Sequence, residues 1–284
     1  DYYLTCLCIS LQKLVHNFFE VDPINRAKYE VVLIYFPGIS DAQKEQVIQS
    51  AQSSLVHVTI QWHPFPSLLH MPYCSLLKRL GDKPQYQTTC MNWVWNRNFF
   101  FMIVFRAQAQ FMMPILQQYR YIWTLDSDMF ILSPITCDVF AVMKQFNLAM
   151  AFYSATDDPL GCPMEGLGTE MMKWAKMNNI NTCWAERLPV QSTHNGAFIV
   201  HDMKMFTSDV YMSLARYFIK TGGIWIHRWS EQNLWPWVIE LLAPGRSHQF
   251  GGLNLTHKFL TSPLWVDRIK FSMDDDALCQ QLTP

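Results

Sequence analysis

The stretch Tyr121-Ile122-Trp123-Thr124-Leu125-Asp126-Ser127-Asp128-Met129-Phe130-Ile131 decides the fold. Its first five residues are aromatic, apolar or β-branched without polar alternation, the pattern of a short strand buried on both faces of a parallel sheet. Two carboxylates follow at once, separated by one serine. In open α/β sheets ligands bind beyond the carboxyl ends of the strands, which is where these acids fall. Asp and Ser are common in solvated turns, but here core-type residues resume immediately at Met129. Carboxylates are hard oxygen ligands suited to Mg2+ or Mn2+. A divalent ion at this place can bridge two phosphates and offset the charge that develops as a nucleoside diphosphate departs. Asp126 and Asp128 are therefore the first candidates for cation and nucleotide binding.

Upstream, residues 30–36 (EVVLIYF) read as a strand stopped by Pro37-Gly38. Ser40-Asp41 caps a helix to about residue 53, and residues 56–62 alternate as the next strand. Residues 2–9 read as a further buried strand and 11–19 as a helix. Strand, helix, strand, helix, strand within the first 62 residues predicts a mostly parallel sheet flanked by helices. Residues 64–84 are proline-rich loop, and 102–119 a long helix with Pro114 near its end. Downstream, residues 147–153 and 197–200 read as strands, 157–169 as a glycine-containing loop and 208–221 as a helix ending at Gly222-Gly223. Residues 229–242 are helical around Pro236, and the chain after Pro244 is loop-like. No repeat or low-complexity linker interrupts this pattern. It is one Rossmann-like α/β domain over residues 1–284 with an elaborated C-terminal half.

Composition narrows the function classes. The 284 residues are 50% hydrophobic, 14% aromatic and 16% charged, against roughly 25% charged in ordinary domains. That excludes a disordered chain. Lys+Arg of 22 against Asp+Glu of 23 leaves a net charge of -1, with no positive surplus for nucleic acid. The longest apolar run, residues 99–105 with Arg97 and Arg106 on either side, is far short of the ~20 residues of a membrane span. The chain opens at Asp1 without Met or a signal-like stretch, so a trimmed fragment is the expectation. None of the eight cysteines forms a CxxC pair, which argues against a structural zinc site. Asn254-Leu255-Thr256 is a glycosylation sequon, of consequence only in a secretory lumen.

Residues 101–152 resemble the middle of glycosyltransferase family 15, the fungal α-1,2-mannosyltransferases. The matching positions are Met102, Phe105-Arg106, Pro114, Tyr119, Tyr121-Ile122-Trp123, Asp126-Ser127-Asp128, Phe140, Met143 and Asn147. The family has Glu-Pro-Asp where this chain has Asp126-Ser127-Asp128, a change that keeps both carboxylates. A second block, Phe206, Ser208-Asp209, Tyr211, Lys220-Thr221-Gly222-Gly223, Arg228-Trp229, Pro244, Phe250 and His257, resembles the family's downstream helix, Gly-Gly turn, Arg-Trp-Gly-Asp motif and late histidine. Glu231 takes the place of that motif's Asp and Ser230 of its Gly. The resemblance implies a GT-A fold, a nucleotide-sugar donor (UDP- or GDP-sugar), a glycan acceptor, and Mn2+ (or Mg2+) held by Asp126, Asp128 and His257. It places the nucleotide-sugar-binding half in residues 1–150 and the acceptor half in 151–284. Fungal relatives imply GDP-mannose and a Golgi or ER lumen; similar domains of large algal viruses work in the cytoplasm with sugars such as xylose.

One departure bears on mechanism. The family places a glutamate beneath the anomeric carbon, and the matching position here is Ile199 in His194-Asn195-Gly196-Ala197-Phe198-Ile199. An isoleucine cannot attack carbon, so a double displacement loses its nucleophile. Inverting transfer needs instead one carboxylate to take the acceptor proton. Glu231 is the candidate base, set against the simpler role of a first-turn glutamate favoured by the helix dipole after an N-cap Ser230. Asp157-Asp158 and Glu165 are rivals. Arg106 offers a bidentate fork for diphosphate charge or, equally, for a carboxylate in the core. His194, Asn195 and Gly196 at a strand entrance are candidate donor-sugar contacts, set against the simpler role of satisfying loop backbone. Arg228 and Trp229 are acceptor candidates, and of Trp184, Trp225, Trp229, Trp235 and Trp237 one or two should line a sugar groove. His248 is the second choice as metal histidine. A catalytically idle sugar-nucleotide or glycan-binding domain is the rival class. A nucleotidyltransferase ranks below it, because Ser10-Leu11-Gln12-Lys13 lacks a glycine-rich basic loop.

Overall fold

The strand at residues 121–125 forms with the expected bounds but not inside a parallel sheet: it is one edge of a four-stranded sheet, pairs antiparallel with its neighbour, and only Ile122 in it is buried. The computed structural model describes residues 2–26, 28–35, 39–65, 97–157, 165–188, 192–250 and 253–257. In chain order its main elements are α1 (Tyr2–Leu14), a π-helical turn (Val15–Phe19), β1 (Glu30–Tyr35), α2 (Asp41–Ser50), β2 (Thr59–Pro64) and α3 (Arg97–Val104), which runs into a second π-helical turn (Phe105–Ala109). There follow β3 (Tyr121–Leu125), β4 (Met129–Ile131), α4 (Val139–Gln145), β5 (Met150–Phe152), β6 (Ala155–Asp157), α5 (Leu167–Met177), β7 (Ser192–His194) and β8 (Phe198–Asp202). The last are α6 (Asp209–Lys220), α7 (Gly223–His227), α8 (Glu231–Leu242), β9 (Ser247–Gln249) and β10 (Leu255–His257).

The central sheet has the order β3-β8-β5-β9. Two apolar cores lie on its two faces, and side-chain alternation sorts its residues between them. Ile122, Met150, Phe152 and Ile199 belong to one core, while Trp123, Ala151, Phe198 and Val200 belong to the other. That is the period-2 signature of strands covered on both faces. The first core is closed by residues of α3, α5, α6, α7 and α8, the second by α1, the first π turn, α2 and α4. The α/β class stands, and its pairing is mixed: β1–β2 and β5–β9 are parallel, whereas β3–β8, β5–β8, β4–β10 and β6–β7 are antiparallel. No helix among the described residues is long and apolar enough to cross a membrane.

Four expectations change. Residues 2–9 are helix rather than strand, because burial falls at Cys6, Ser10, Leu11 and Leu14, a 3.6-residue rather than a 2-residue period. The long helix starts earlier than expected and breaks at Met113, whose ψ of 122° is extended; a residue before proline avoids the helical region, and Pro114 then opens a short new helix. The segment after Pro244 is not all loop but contributes β9 and β10. In the expected loop at 157–169, Leu167 already starts α5. Most of the proline-rich segment, from residue 66 on, lies outside the described residues. The strands expected at 56–62 and 147–153 form over Thr59–Pro64 and Met150–Phe152, Ser40 caps α2 in a reciprocal capping box with Gln43, and α8 runs through Pro236.

At the end of β8 remote from the acidic pair, the buried carboxylate of Asp202 meets Arg120 at 2.9 Å and Arg246 at 3.6 Å. Its other oxygen caps the short helix Met203–Phe206.

Candidate active site

The acidic pair sits in a turn whose backbone is held on both sides. The amide of Asp126 donates to the carbonyl of Ala197 at 3.2 Å, and the amide of Met129 donates back to the carbonyl of Asp126 at 3.0 Å. β8 starts opposite the end of β3, with Phe198 across from Leu125. The loop Asn195-Gly196-Ala197 is thereby brought beside Asp126. Its shape is set locally: Asn195 Oδ1 accepts from the amide of Ala197 at 2.9 Å, an Asx turn. On the other side, β4 pairs with β10 in a register that puts the backbone of His257 opposite Met129, one residue beyond Asp128.

Arg106 lies beneath this turn. It is 93% buried and projects from the second π turn. Its Nη2 donates to Asp126 Oδ1 at 2.6 Å, and its Nη1 lies 3.5 Å from Glu231 Oε1. Burial by itself would lower the proton affinity of the guanidinium, but Asp126 and Glu231 outweigh it and hold it above its ordinary value. Gly196 is what lets the group fit. A Cβ there would stand 3.0 Å from Arg106 Nη1 and 3.1 Å from Gln232 Nε2.

Glu231 is the first residue of α8. Ser230 caps the helix and exchanges hydrogen bonds with Asn233. The helix N-terminus favours a negative charge, yet the Glu231 side chain is only 5% exposed. Desolvation dominates and pushes its pKa up to about 7; Arg106 opposes that rise and Asp126 adds to it. The result is a carboxyl that changes charge near neutrality, as a general base requires.

The remaining candidates separate. Trp229 is 3% exposed, its ring parallel to Phe218 and His227 and its indole N–H donating to the carbonyl of Glu165 at 2.8 Å. It is a core residue that ties down residue 165, not an open stacking platform. Trp225, Trp235 and Trp237 are buried too, whereas Trp184 is 55% exposed with Arg187 over its ring. Arg228 ends α7 in the left-handed region at φ 60°, and that turn sets the angle between α7 and α8. His194 stacks on Phe152 at 3.9 Å, and burial lowers its pKa to about 4, so it is neutral at pH 7. Ile199 is fully buried in the first core. His248 is exposed on β9 against the edge of Phe250. The carboxylate of Glu165 is exposed and lies 3.5 Å from His227 Nδ1. Asp158 and the side chains of Asp157 and His257 lie outside the described residues.

Arg106 is thus paired with two carboxylates, the second of the two roles its apolar helix allowed. Gln232, at its side, had no signal in the sequence. Among the described residues no three His, Cys, Asp or Glu side chains are grouped to hold a metal. The donor set nevertheless suits a hard divalent cation: two carboxylates share one turn, and a histidine backbone stands in register with the residue that follows it.

The model of the family described as glycolipid 2-alpha-mannosyltransferase matches residues 10–259. Probable mannosyltransferase KTR3 of Saccharomyces cerevisiae is 24% identical over 179 residues, 59% of this chain and 43% of that protein. The chain therefore spans less than half the length of this curated relative. Among solved structures, the mannosyltransferase Ktr4p of S. cerevisiae in complex with GDP superposes with a TM-score of 0.74 at 17% identity, covering 90% of this chain and 68% of that one. Core-mannan synthase A (CmsA/Ktr4) of Aspergillus fumigatus, in a Mn/GDP form, gives 0.69 at 15% identity, covering 90% and 72%. The likeness is one of fold, and it makes the α/β architecture a GT-A fold.

Proposed function

This chain belongs to glycosyltransferase family 15, the glycolipid 2-alpha-mannosyltransferases, and on that premise we propose that it is a glycosyltransferase moving a sugar from a nucleoside-diphosphate donor to a hydroxyl of a glycan acceptor. GDP-mannose is the first donor to test, since the relatives are named mannosyltransferases and two of the similar structures hold GDP. The observation that carries the reading is the continuous contact from Asp126 through Arg106 to Glu231. It joins the acidic turn at the sheet edge to a buried carboxyl poised near neutral pH.

Asp126 and Asp128, with His257, would hold Mn2+ (or Mg2+), which when bound neutralises charge on the departing diphosphate. Glu231 takes the proton of the acceptor hydroxyl as its oxygen attacks the anomeric carbon, and the configuration inverts. Arg106 acts on both carboxylates, holding Asp126 in place and keeping Glu231 from rising further. Asn195 and Gly196 close the donor side. Arg228 and the exposed indole of Trp184 are the acceptor contacts, and residues 1–150 and 151–284 divide into donor and acceptor halves. A second reading, retention, draws on the family's description: an α product from an α-linked donor keeps its configuration. Ile199, shut in the core, leaves that route without a nucleophile at the family's position.

The test is turnover of GDP-mannose and of a UDP-sugar panel with Mn2+, followed by NMR of the product's anomeric proton. Asp128→Ala should cut turnover by about 100-fold or more, and EDTA should silence the wild type. Full turnover by Asp128→Ala in EDTA removes the cation from the reading, and a retained anomeric configuration removes Glu231 as base.

A further inference from the structure

β4 begins one residue after Asp128, and its two edges have different partners. One edge pairs with β10, and the amide of Leu132 extends that pairing to the carbonyl of Asn254 at 2.8 Å. The other edge is met by the N-terminal helical unit. Ser10 Oγ donates to the carbonyl of Met129 at 2.7 Å, and Asn17 Nδ2 donates to the carbonyl of Ile131 at 2.7 Å. The amide of Ile135 donates to the carbonyl of Asn17 at 2.7 Å, and Arg26 Nη1 donates to the carbonyl of Ile135 at 2.8 Å.

Ser10, Asn17 and Arg26 are 7%, 3% and 1% exposed. Polar groups buried this deeply are costly unless hydrogen-bonded, and here the bonds converge on one three-residue strand and the segment after it. Leu11, Leu14, Val15 and Phe18 of the unit share one apolar core with Met129 and Ile131. Asn17 lies in the first π turn, and Arg106, which holds Asp126, lies in the second. A π turn takes one residue out of helical register, and such turns gather at functional sites. The acidic turn is therefore held from one side by Arg106 and from the other, through β4, by Ser10 and Asn17.

We propose that Ser10 and Asn17 are positioning residues for the nucleoside-diphosphate and cation site: by fixing the free edge of β4 they set where Asp126 and Asp128 stand relative to the backbone of His257. The geometry is independent of the donor-site reading above; the consequence for ligand binding rests on it. Supporting groups around metal ligands commonly alter affinity by about 10–100-fold when removed.

The test compares Ser10→Ala, Asn17→Leu and, as a control at the far end of the sheet, Arg120→Ala. Amide hydrogen exchange of the peptide covering residues 126–131 is measured without ligand. Mn2+ affinity in the presence of GDP is measured by electron paramagnetic resonance, and Tm is recorded for each protein. Exchange in 126–131 should accelerate about five- to tenfold in the two variants, and Mn2+ should bind about tenfold more weakly. Arg120→Ala should lower Tm without either change. Unchanged exchange in 126–131 overturns the proposal, as does wild-type Mn2+ affinity in both variants. Ser10→Ala, the milder change, keeps the comparison decisive if Asn17→Leu does not fold. A wild type that binds neither Mn2+ nor GDP sinks the donor-site reading instead, and hydrogen exchange alone then decides the positioning role.

Discussion

Glu231 shows how one residue reads differently in sequence and in space. Its place after Ser230 reveals a helix N-terminus, where a glutamate is ordinarily an exposed dipole partner. Only packing buries it and sets it beside Arg106. The titration follows in sign. The unfolded carboxyl ionises around its ordinary value of 4.5, the folded one around 7. Below pH 4.5 it is protonated in both states. Between these values the folded state keeps a proton that the unfolded state loses, so stability falls as pH rises to about 7. Glu231→Gln should therefore gain in Tm relative to the wild type between pH 5 and pH 8, while its turnover falls by about 100-fold or more. A Tm difference independent of pH would mean the wild-type carboxyl is already ionised at pH 5. Arg106 offers the complementary lesson. Its place on an apolar helix allowed a diphosphate or a core carboxylate as partner, and the structure pairs it with Asp126 and Glu231; which carboxylates these are was not legible from its spacing. The turn that carries Asp126 and Asp128 was legible, because the apolar strand before it and the apolar residues after it both become strands.

At the scale of elements, the strands with continuous apolar runs and the helices with strong caps were readable, and the failures share a cause. α1 carries Tyr, Thr and Cys, which favour strands, and packing overrode that preference. β9 and β10 are three residues each, too short for any period to show. The meeting of α7 and α8 depends on a close approach that no pattern announces. A Cβ on Gly223 would fall 2.2 Å from the Trp229 ring, so the glycine is what seats the buried indole. Gly223→Ala should cost about 1–3 kcal/mol and lower Tm, whereas Gly245→Ala meets no neighbouring atom within 4 Å and pays mainly for its φ of +73°. Thermal melts of both variants measure the difference, and equal losses would place the Gly223 effect in the backbone rather than the indole. Asn17 and Arg106, one in each π turn, carry the same message. A widened turn is invisible in sequence, and here it aims the polar side chains that hold the acidic turn.

For the whole molecule, segments far apart in the chain meet at the acidic turn at one edge of the sheet. β4 and β10 bring the C-terminal part of the chain to Met129, and β8 and α8 bring Gly196 and Glu231 to Arg106. A ligand bound there should stabilise the entire fold by mass action, about 2.7 kcal/mol at a hundred times its Kd. GDP with Mn2+ should accordingly raise Tm by several degrees in the wild type and much less in Asp126→Ala; an equal rise in both would move the nucleotide away from this turn. The sequence by itself determined the α/β class and the strand that ends at Leu125, because runs of apolar residues are local, and its resemblance to glycosyltransferase family 15 pointed to the family that the family model matches. Only the tertiary structure decided that Trp229 is core, that Arg106 faces two carboxylates and that Glu231 is desolvated. Burial and dielectric environment are properties of what packs around a residue, and the partners here come from as far as 125 positions along the chain, from Arg106 to Glu231.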